Sequence, residues 1–209
     1  MKIIPAILAH SQEVFDSQLT RARQVSSVIQ VDVTDKSYSR HPTPKLNIPK
    51  SNQHHRLIFH LMLARPEKKL RKYLSYSPEK FIVNAESVRD WAKLKSILQP
   101  EQLGIAINPH SSISILKPHI ADAGEIVVMT VEPGDSGRTF QPAALKKIKD
   151  LLKFNIIISV DGGIDPETIK HARREGAGVA YVGSALMGKA NIVEALDELK
   201  KGINANKRQ

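Results

Sequence analysis

Residues 158–163 read Ile158-Ser159-Val160-Asp161-Gly162-Gly163, a short apolar run that ends in an aspartate and two glycines. Its length and β-branched content predict a strand that is covered on both faces, as in a parallel sheet. Two glycines directly after a strand allow backbone N–H groups to approach an anion closely. A tight turn with a structural aspartate has the same pattern, so the motif by itself leaves both interpretations open.

Seven similar runs precede and follow this one, and helix-like segments separate most of them. The alternation indicates βαβ units and a parallel sheet. Eight strands favour one α/β domain, a (β/α)8 TIM barrel over residues 1–209, although a doubly wound open sheet has the same alternation. In either fold the reaction site belongs at the carboxyl ends of the strands. The predicted strands are Lys2–Leu8, Val28–Val33, Leu57–Met62, Phe81–Asn84, Gly104–Ile107, Ile126–Val131, Ile156–Val160 and Val179–Val182.

Local signals also predict where helices begin and end. Asp165-Pro166-Glu167 is typical of a helix start, with an N-cap, a proline at the first position and an acid in the first turn. Gly176 is expected to end that helix. Ser87 is expected to cap the helix that follows the fourth strand. Residues 36–56 carry three prolines and little periodicity, so the helix after the second strand should be short or missing.

Composition limits the classes of protein to which the chain can belong. Its 209 residues are 41% hydrophobic and 25% charged, which is ordinary for a globular domain. The absence of cysteine excludes disulfides and thiolate zinc sites and suits a reducing cytosol, so a cytoplasmic protein is expected. The apolar run Met1–Leu8 is short and contains a proline, which favours a strand over a secretory signal. No apolar stretch approaches the roughly 20 residues that span a bilayer, and no membrane partner is expected.

The formal net charge is +10, and the pI is about 9.8. An ordinary basic surface explains this charge first, attraction of an anionic substrate such as a sugar phosphate second, and nucleic-acid binding a distant third. The basic residues are spread along the chain, and no nucleic-acid-binding motif accompanies them. With five Phe and one Trp, no aromatic stacking platform is evident. We therefore expect no nucleic-acid partner.

The second and third strands carry polar side chains toward their carboxyl ends. Because side chains alternate with a period of two, Gln30 and Asp32 share one face of the second strand and three apolar residues share the other. In a barrel the apolar face packs under the helices, and Gln30 and Asp32 point inward. An aspartate that caps the next loop is the alternative, but a buried charge is costly unless it is paired or ligated. A lone histidine on a strand is weak evidence for a metal ligand. His60 is a stronger candidate because it lies at the level of Asp32 on the adjacent strand.

The last two strands both end in glycine-rich turns. Gly162 and Gly163 follow the seventh strand, and Gly183 and Ser184 follow the eighth. A phosphate site built by these two loops recurs in TIM barrels, so the four residues together predict a phosphate-binding site. The loop after the sixth strand, which contains Gly137, suits closure over a ligand, although an ordinary turn has the same composition.

These pieces, in this order, resemble the ribulose-phosphate 3-epimerase family, and the resemblance runs along nearly the whole chain. It is specific because it fixes seven strand ends at once. The segments that carry it are Ile4–Leu8, Val31–Asp35, His60–Met62, Ala106–Pro109, Val128–Gly134, Val160–Ile164 and Gly183–Ala185.

The resemblance implies a barrel that interconverts ribulose 5-phosphate and xylulose 5-phosphate. It implies a divalent metal (Zn, Mn, Fe or Mg) held by two His and two Asp, with the same two Asp acting as acid and base on opposite faces of the sugar. Carried over by position, Asp32 and Asp161 are the catalytic pair, and both hold the metal with His60. Met62 and Met129 match the family's apolar cap over the substrate. Dimers and higher oligomers are common in the family, so the resemblance allows a homo-oligomer.

Several positions depart from the family's pattern. The fourth metal position, a His in the family, is Gln30, whose amide oxygen is a weaker and harder donor, so the site should favour Mn²⁺ or Mg²⁺ over Zn²⁺. His10, just past the first strand, is a candidate substitute ligand. Two serines of the family are Ala6 and Ala9, and the glycine after the second-strand motif is Lys36. The phosphate half of the predicted site is therefore intact, and the metal and hydroxyl half is altered.

Three functions are weighed on this basis. The first is a ketose-phosphate 3-epimerase that works by metal-assisted two-carboxylate proton transfer through an enediolate. The second is a phosphorylated-sugar-binding relative with weak or lost epimerase activity, which measured turnover would distinguish. The third is orotidine- or hexulose-phosphate chemistry. It is set aside because those resembling families carry Asp-x-Lys on the third strand, and that tripeptide occurs nowhere in this chain.

Overall fold

Eight parallel strands pair in chain order and close into a barrel, because β1 is hydrogen-bonded to both β2 and β8. The structure is a computed structural model that describes residues 1–204. Closure confirms the predicted (β/α)8 barrel and rules out a doubly wound open sheet, whose edge strands do not pair. The strands are β1 (Lys2–Ile7), β2 (Val28–Thr34), β3 (Arg56–Met62), β4 (Lys80–Asn84), β5 (Leu103–Ile107), β6 (Glu125–Met129), β7 (Ile157–Asp161) and β8 (Val179–Val182).

All eight predicted strands are present, and their ends differ from the prediction by no more than two residues. The largest difference is in β6, which ends at Met129 instead of Val131. Beyond that point the backbone N–H of Thr130 donates to the carbonyl oxygen of Asp161 at 2.8 Å. This bond ties the end of β6 to the end of β7, where the two loops leave the barrel.

The helices outside the barrel are unevenly developed. The connection between β2 and β3 contains no helix in residues 35–55, as its prolines predicted. The connection between β5 and β6 holds only two 3-10 turns, which the prediction did not anticipate. No helix in residues 1–204 is long and apolar enough to cross a bilayer. The α-helices are α1 (Gln12–Arg23), α2 (Pro66–Lys69), α3 (Trp91–Lys95), α4 (Lys146–Leu152), α5 (Thr168–Glu175), α6 (Ser184–Met187) and α7 (Ile192–Asn204), and the 3-10 turns are Leu70–Tyr76, Ala85–Ser87, Pro100–Gln102, Ile113–Ile115, Ile120–Asp122 and Pro142–Leu145.

The predicted end of α5 is confirmed, whereas the helix begins at Thr168, two residues after Pro166, its predicted first position. Asp165 Oδ1 accepts the backbone N–H groups of Glu167 at 2.9 Å and of Thr168 at 2.7 Å, so it caps the first turn. The helix ends at Gly176, whose φ of 110° is left-handed and favours glycine.

The predicted cap of α3, the helix that follows β4, is wrong. Asp90, not Ser87, caps α3, because its Oδ1 accepts the backbone N–H of Lys93 at 2.9 Å. The hydroxyl of Ser87 instead donates to the carbonyl oxygen of Asn84 at 2.9 Å, within the 3-10 turn that follows β4. Serine and aspartate are both common N-cap residues. Here the 3-10 turn after β4 engages Ser87, which leaves Asp90 to cap α3.

The core has two parts, because successive side chains along each strand point alternately out of the barrel and into it. Outward-facing residues of β2, such as Ile29 and Val31, pack under the helices in the larger cluster. Inward-facing apolar side chains fill the barrel itself in a smaller cluster. This inner cluster consists of Ile4, Ala6, Val28, Ile58, Ile82, Ala106, Val127, Met129 and Tyr181.

A charged group lies in the barrel floor, at the amino ends of the strands. Glu125 is buried, and its Oε1 accepts the Tyr181 hydroxyl at 2.9 Å and also the Ser159 hydroxyl. Its Oε2 pairs with Lys80. Burial, with the nearby Glu125 charge, strongly raises the pKa of Tyr181. The carboxylate is therefore fully partnered far from the mouth, and it serves packing and not the site above it.

Candidate active site

Three ionisable side chains meet at the mouth of the barrel. Asp32 and His60 are register partners on β2 and β3, and Asp161 is the last residue of β7. His60 Nδ1 lies 3.6 Å from Asp32 Oδ1 and 3.4 Å from Asp161 Oδ2. One ligand atom from each residue lies within 4.8 Å of the other two. The structure therefore brings together the three charged residues that were predicted to form the metal and catalytic group.

Gln30 lies beneath these side chains and joins the two carboxylates. Its Nε2 donates to Asp32 Oδ1 and to Asp161 Oδ2, both at 2.8 Å. The side chain is fully buried, and its Oε1 has no hydrogen-bond partner among residues 1–204. The predicted fourth ligand position is thus next to the other three, with its nitrogen turned toward them.

A chain of amides holds the imidazole in place. His60 Nε2 lies 3.2 Å from Asn84 Oδ1, and Asn84 Nδ2 donates to Asn108 Oδ1 at 3.0 Å. The backbone N–H of Asn108 in turn donates to Glu86 Oε1 at 2.8 Å. Because Nε2 faces an amide oxygen, it carries the ring proton, and Nδ1 is directed at the carboxylates.

Electrostatics in this group favour an added positive charge. Burial raises the pKa of Asp32, and the charge of Asp161 acts in the same direction, while His60 and Gln30 oppose it. Burial disfavours a charged imidazole, but the carboxylates of Asp161 and Asp32 outweigh it and raise the pKa of His60 to about 9. The two buried carboxylates thus favour a positive charge beside Nδ1, which a proton or a bound cation can supply.

These residues fit a divalent metal. The buried Nδ1 of His60 and Oε1 of Gln30 lack hydrogen-bond partners within the described part of the chain. Two carboxylate oxygens and an imidazole nitrogen, directed at one region, are donors that divalent metals use. His10 does not join them, because it is exposed and its ring lies edge-on to His41 at 6.4 Å between centroids. The suggested substitute ligand is therefore not brought to the site.

A cavity of about 280 Å³ opens above the group and reaches the turns after β7 and β8. Every predicted phosphate-binding residue lines this cavity, and so do both methionines of the predicted cap. Gln30 and Ala9 do not line it, whereas Ala6 does. Its lining consists of Ala6, Leu8, Gln18, Asp32, His60, Met62, Met129, Val131, Pro133, Gly134, Asp135, Ser136, Gly137, Arg138, Asp161, Gly162, Gly163, Ile164, Gly183, Ser184, Met187 and Gly188.

The glycines of the two turns differ in what they require. Gly162 has a φ of 105°, and a Cβ there would lie 2.4 Å from Val131 Cγ2. Gly163 has a φ of 63°. Gly183 is different, since a Cβ there would meet only the carbonyl oxygen of Ala6, at 3.7 Å. The first two glycines are needed for the backbone path, whereas Gly183 has room for a side chain and leaves the start of α6 open to the cavity.

The loop after β6 is fastened to the loop after β2. The hydroxyl of Ser39 donates to Asp135 Oδ1 at 2.6 Å, and Arg138 Nη2 pairs with Asp135 Oδ2 at 2.6 Å. A Cβ at Gly134 would lie 2.0 Å from the carbonyl oxygen of Tyr38, so the two backbones touch there. The Ser39 and Arg138 contacts lower the pKa of Asp135. Gly137 therefore lines the cavity from a loop that is anchored at its start.

Strand ends do not account for the whole lining. Gln18, on α1, lines the cavity, and so do Met187, the last residue of α6, and Gly188, which follows it. Prediction from strand ends has no means of finding a helix residue such as Gln18. Met187 and Gly188 follow Ser184 closely, so the predicted phosphate turn was the available signal for them.

Comparison with known proteins identifies the family to which the chain is similar. The profile of the family described as "Ribulose-phosphate 3 epimerase family" matches residues 2–187. The chain is 26% identical over 153 residues to the ribulose-phosphate 3-epimerase of Bacillus subtilis, covering 69% of this chain and 70% of that one. It is 25% identical over 213 residues to the ribulose-phosphate 3-epimerase of Schizosaccharomyces pombe, covering 97% and 93%.

Solved structures support the fold alone. A 3-hexulose-6-phosphate synthase superposes with a TM-score of 0.70 at 15% identity, over 97% of this chain and 100% of that one. The orotidine 5'-phosphate decarboxylase of Pyrococcus horikoshii superposes with a TM-score of 0.60 at 18% identity, over 97% and 99%. The profile match over residues 2–187 and the nearly full-length alignment with the Schizosaccharomyces pombe protein show that the chain belongs to the ribulose-phosphate 3-epimerase family, a family of isomerases.

Proposed function

We propose that the chain is a ketose-phosphate 3-epimerase that interconverts ribulose 5-phosphate and xylulose 5-phosphate. The observation that carries the proposal is the convergence of Asp32 and Asp161 in a cavity whose far end is formed by the glycine turns after β7 and β8. Carboxylates beside a small anion-binding turn suit a short sugar with a single phosphate.

The two carboxylates supply the proton transfers. Epimerisation beside a ketone removes the C3 proton, forms an enediolate, and returns a proton to C3 from the opposite side. One of Asp32 and Asp161 accepts the first proton, and the other donates the second. The roles exchange in the reverse direction. Burial raises the pKa of Asp32, and the charge of Asp161 acts in the same direction.

Asp32, His60 and Asp161 would hold a divalent metal, with Gln30 as the fourth donor. A bound metal stabilises the negative charge that develops on the enediolate oxygens. To take part, Gln30 would turn its amide so that Oε1, and not Nε2, is offered to the ion. An amide oxygen in place of imidazole favours Mn²⁺ or Mg²⁺ over Zn²⁺, and we propose that order for this chain.

The phosphate would lie at the turns after β7 and β8. There Gly162, Gly163, Gly183 and Ser184 line the cavity, and their backbone N–H groups would bind the phosphate. Gly137 would close on the same group from the loop after β6. This half of the site uses backbone donors, so the substitutions at Ala6 and Gln30 leave it unchanged.

Met62 and Met129 would form the apolar cap over the sugar. Both are nearly buried and line the cavity beside the carboxylates. Their side chains would keep water from the enediolate, which is hydrolytically and oxidatively fragile while it exists. The net charge of +10 would add to the attraction of the phosphorylated sugar.

One specific observation favours a second function, binding of a phosphorylated sugar with weak or lost epimerase activity. The Gln30 amide nitrogen bridges both carboxylates at 2.8 Å, which satisfies them without a metal. This arrangement favours a relative that binds a phosphorylated sugar but turns it over weakly or not at all. Affinity for the sugar phosphate is expected in both cases, so only turnover separates the two.

Turnover with metal analysis on the purified protein tests the proposal. Ribulose 5-phosphate should be converted to xylulose 5-phosphate, with a rate that rises on adding Mn²⁺ or Mg²⁺ to chelator-treated protein. If the protein binds the sugar phosphate but does not convert it in the presence of Zn, Mn, Fe or Mg, the result would instead support a sugar-phosphate-binding relative without epimerase activity. The chain is also 28% identical over 158 residues to a protein of Oryza sativa subsp. japonica that is named a cytoplasmic isoform of ribulose-phosphate 3-epimerase, covering 72% of this chain and 69% of that one. We propose the same compartment for this chain, together with the homo-oligomer that the family resemblance allows.

A further inference from the structure

The guanidinium of Arg21 reaches from α1 to the segment that contains α6. Nη1 donates to the carbonyl oxygen of Met187 at 2.9 Å. Nη2 donates to the carbonyl oxygens of Leu186, at 3.5 Å, and of Lys189. The Arg21 side chain therefore donates hydrogen bonds to three carbonyl groups, which lie at or just beyond the carboxyl end of α6.

The segment that Arg21 holds is also a wall of the cavity. α6 is only four residues long, and it begins at Ser184 and ends at Met187. So short a helix has little stability of its own, because few internal hydrogen bonds offset the cost of ordering it. Its first residue borders the proposed phosphate position, and Met187 and Gly188 line the cavity as well. Any shift at the end of α6 therefore moves the donors at its start.

Arg21 itself does not line the cavity. Its position on α1 is fixed independently, since Phe15, Leu19 and Ala22 bury the inner face of that helix in the core. The guanidinium thus connects α1, which is well packed against the core, to α6, which has little stability of its own.

We propose that Arg21 is a positioning residue for the phosphate group of the substrate: it holds α6 so that the backbone donors at Gly183 and Ser184 meet the phosphate. This inference rests on the proposed function, because it assumes that a sugar phosphate binds at those residues. It predicts that Arg21 acts on binding of the phosphate and not on the proton transfers at Asp32 and Asp161.

Binding of ribulose 5-phosphate and of inorganic phosphate, measured by isothermal titration calorimetry, tests the inference in three variants. In Arg21→Ala the affinity for both ligands should fall about tenfold, because charge-assisted hydrogen bonds to α6 are lost. Arg21→Lys keeps the charge but has no planar fork to reach three carbonyls, so it should recover only part of the affinity. Arg23→Ala is the matched control. It removes the same charge from the same helix, and Arg23 Nε has no hydrogen-bond partner in residues 1–204, so affinity should change by less than about twofold.

The kinetic readout is the split between KM and kcat. Arg21→Ala should raise KM for ribulose 5-phosphate about as much as it weakens binding, with little change in kcat. With unphosphorylated ribulose as substrate, Arg21→Ala and the wild type should be equal. A general loss of folding would instead lower kcat and affect both sugars.

The outcomes separate this inference from the function on which it rests. If the wild-type protein binds neither ribulose 5-phosphate nor phosphate, the proposed function fails. If the wild type binds ribulose 5-phosphate and Arg21→Ala binds it equally well, Arg21 has no positioning role. Equal losses in Arg21→Ala and Arg23→Ala would show a long-range charge effect and would also overturn the inference.

Discussion

The carboxylates of Asp32 and Asp161, on β2 and β7, each lie 2.8 Å from one atom, the amide nitrogen of Gln30. Two strands, β1 and β8, separate their strands around the barrel. The carboxylates therefore approach the mouth from two directions and yet remain within reach of one small ligand. A reaction that removes a proton from one face of a carbon and returns it to the other requires this relationship.

Loss of either carboxylate should abolish most of the activity. Asp32→Asn and Asp161→Asn should each lower kcat by about 10²–10⁴-fold, because a general acid or base is lost, and ligand loss should add to that effect. Steady-state kinetics of ribulose 5-phosphate conversion measure it. Asp122→Asn, which removes a carboxylate from an exposed pair with Lys95, is the control and should behave as the wild type. An Asp161→Asn enzyme that keeps more than half of its kcat would exclude the two-carboxylate mechanism.

Occlusion of the start of α6 should block phosphate binding. A Cβ at position 183 would lie 3.7 Å from the Ala6 carbonyl oxygen, and the longer side chain of Gly183→Val should cover the backbone donors of this turn. Calorimetric titration with ribulose 5-phosphate should then show no binding. Gly178→Val, at an exposed glycine where a Cβ would lie 3.8 Å from the Ile158 carbonyl oxygen, is the matched control. Wild-type affinity in Gly183→Val would mean that the ligand lies elsewhere.

Metal preference should depend on Gln30. The wild type should bind Mn²⁺ or Mg²⁺ in preference to Zn²⁺, because Gln30 offers an amide oxygen that must first turn toward the ion. Gln30→His should bind Zn²⁺ at least about tenfold more tightly, given the softer nitrogen donor. Metal content after dialysis and competition titrations measure both. Tight, stoichiometric zinc in the wild-type protein would contradict the argument.

Asp35 should make stability depend on pH in the acid range. Burial would raise its pKa, but hydrogen bonds from Lys69, Ser37 and the Ala64 backbone outweigh burial and lower the pKa from 3.8 to about 2. The carboxylate therefore stabilises the folded state above pH 4, and this contribution is lost as the pH falls from about 4 to about 2. Urea unfolding across that range should show the difference between the wild type and Asp35→Asn shrinking toward zero. A difference that grows as the pH falls would reverse the expected sign.

The strand-end part of the site was predictable from the sequence. Period-two alternation in β2 assigned Gln30 and Asp32 to the inner face, and the same rule assigned His60 on β3. Parallel strands bring their carboxyl ends to one rim, so residues far apart in the chain, such as Asp32 and Asp161, were expected to meet once the fold was recognised.

The loops and supporting contacts were not predictable in the same way. The tie between Ser39 and Asp135 joins loops that are distant in the chain, and it depends on how both leave the barrel. The amide bridge of Gln30 depends on a side-chain rotamer that alternation does not specify. Asp90 and Ser87 are equivalent as cap residues by local sequence, and only the turn after β4 decides between them.

Proton exchange at C3 tests the central claim most directly. Purified protein in deuterated water with added Mn²⁺ or Mg²⁺ is incubated with ribulose 5-phosphate, and the C3 position is followed by NMR. Two-carboxylate chemistry predicts deuterium at C3 together with conversion to xylulose 5-phosphate in the wild type, and conversion slowed by about 10²–10⁴-fold in Asp32→Asn and Asp161→Asn. Absence of exchange in the wild type, with this or any other pentulose or hexulose phosphate, would contradict the account.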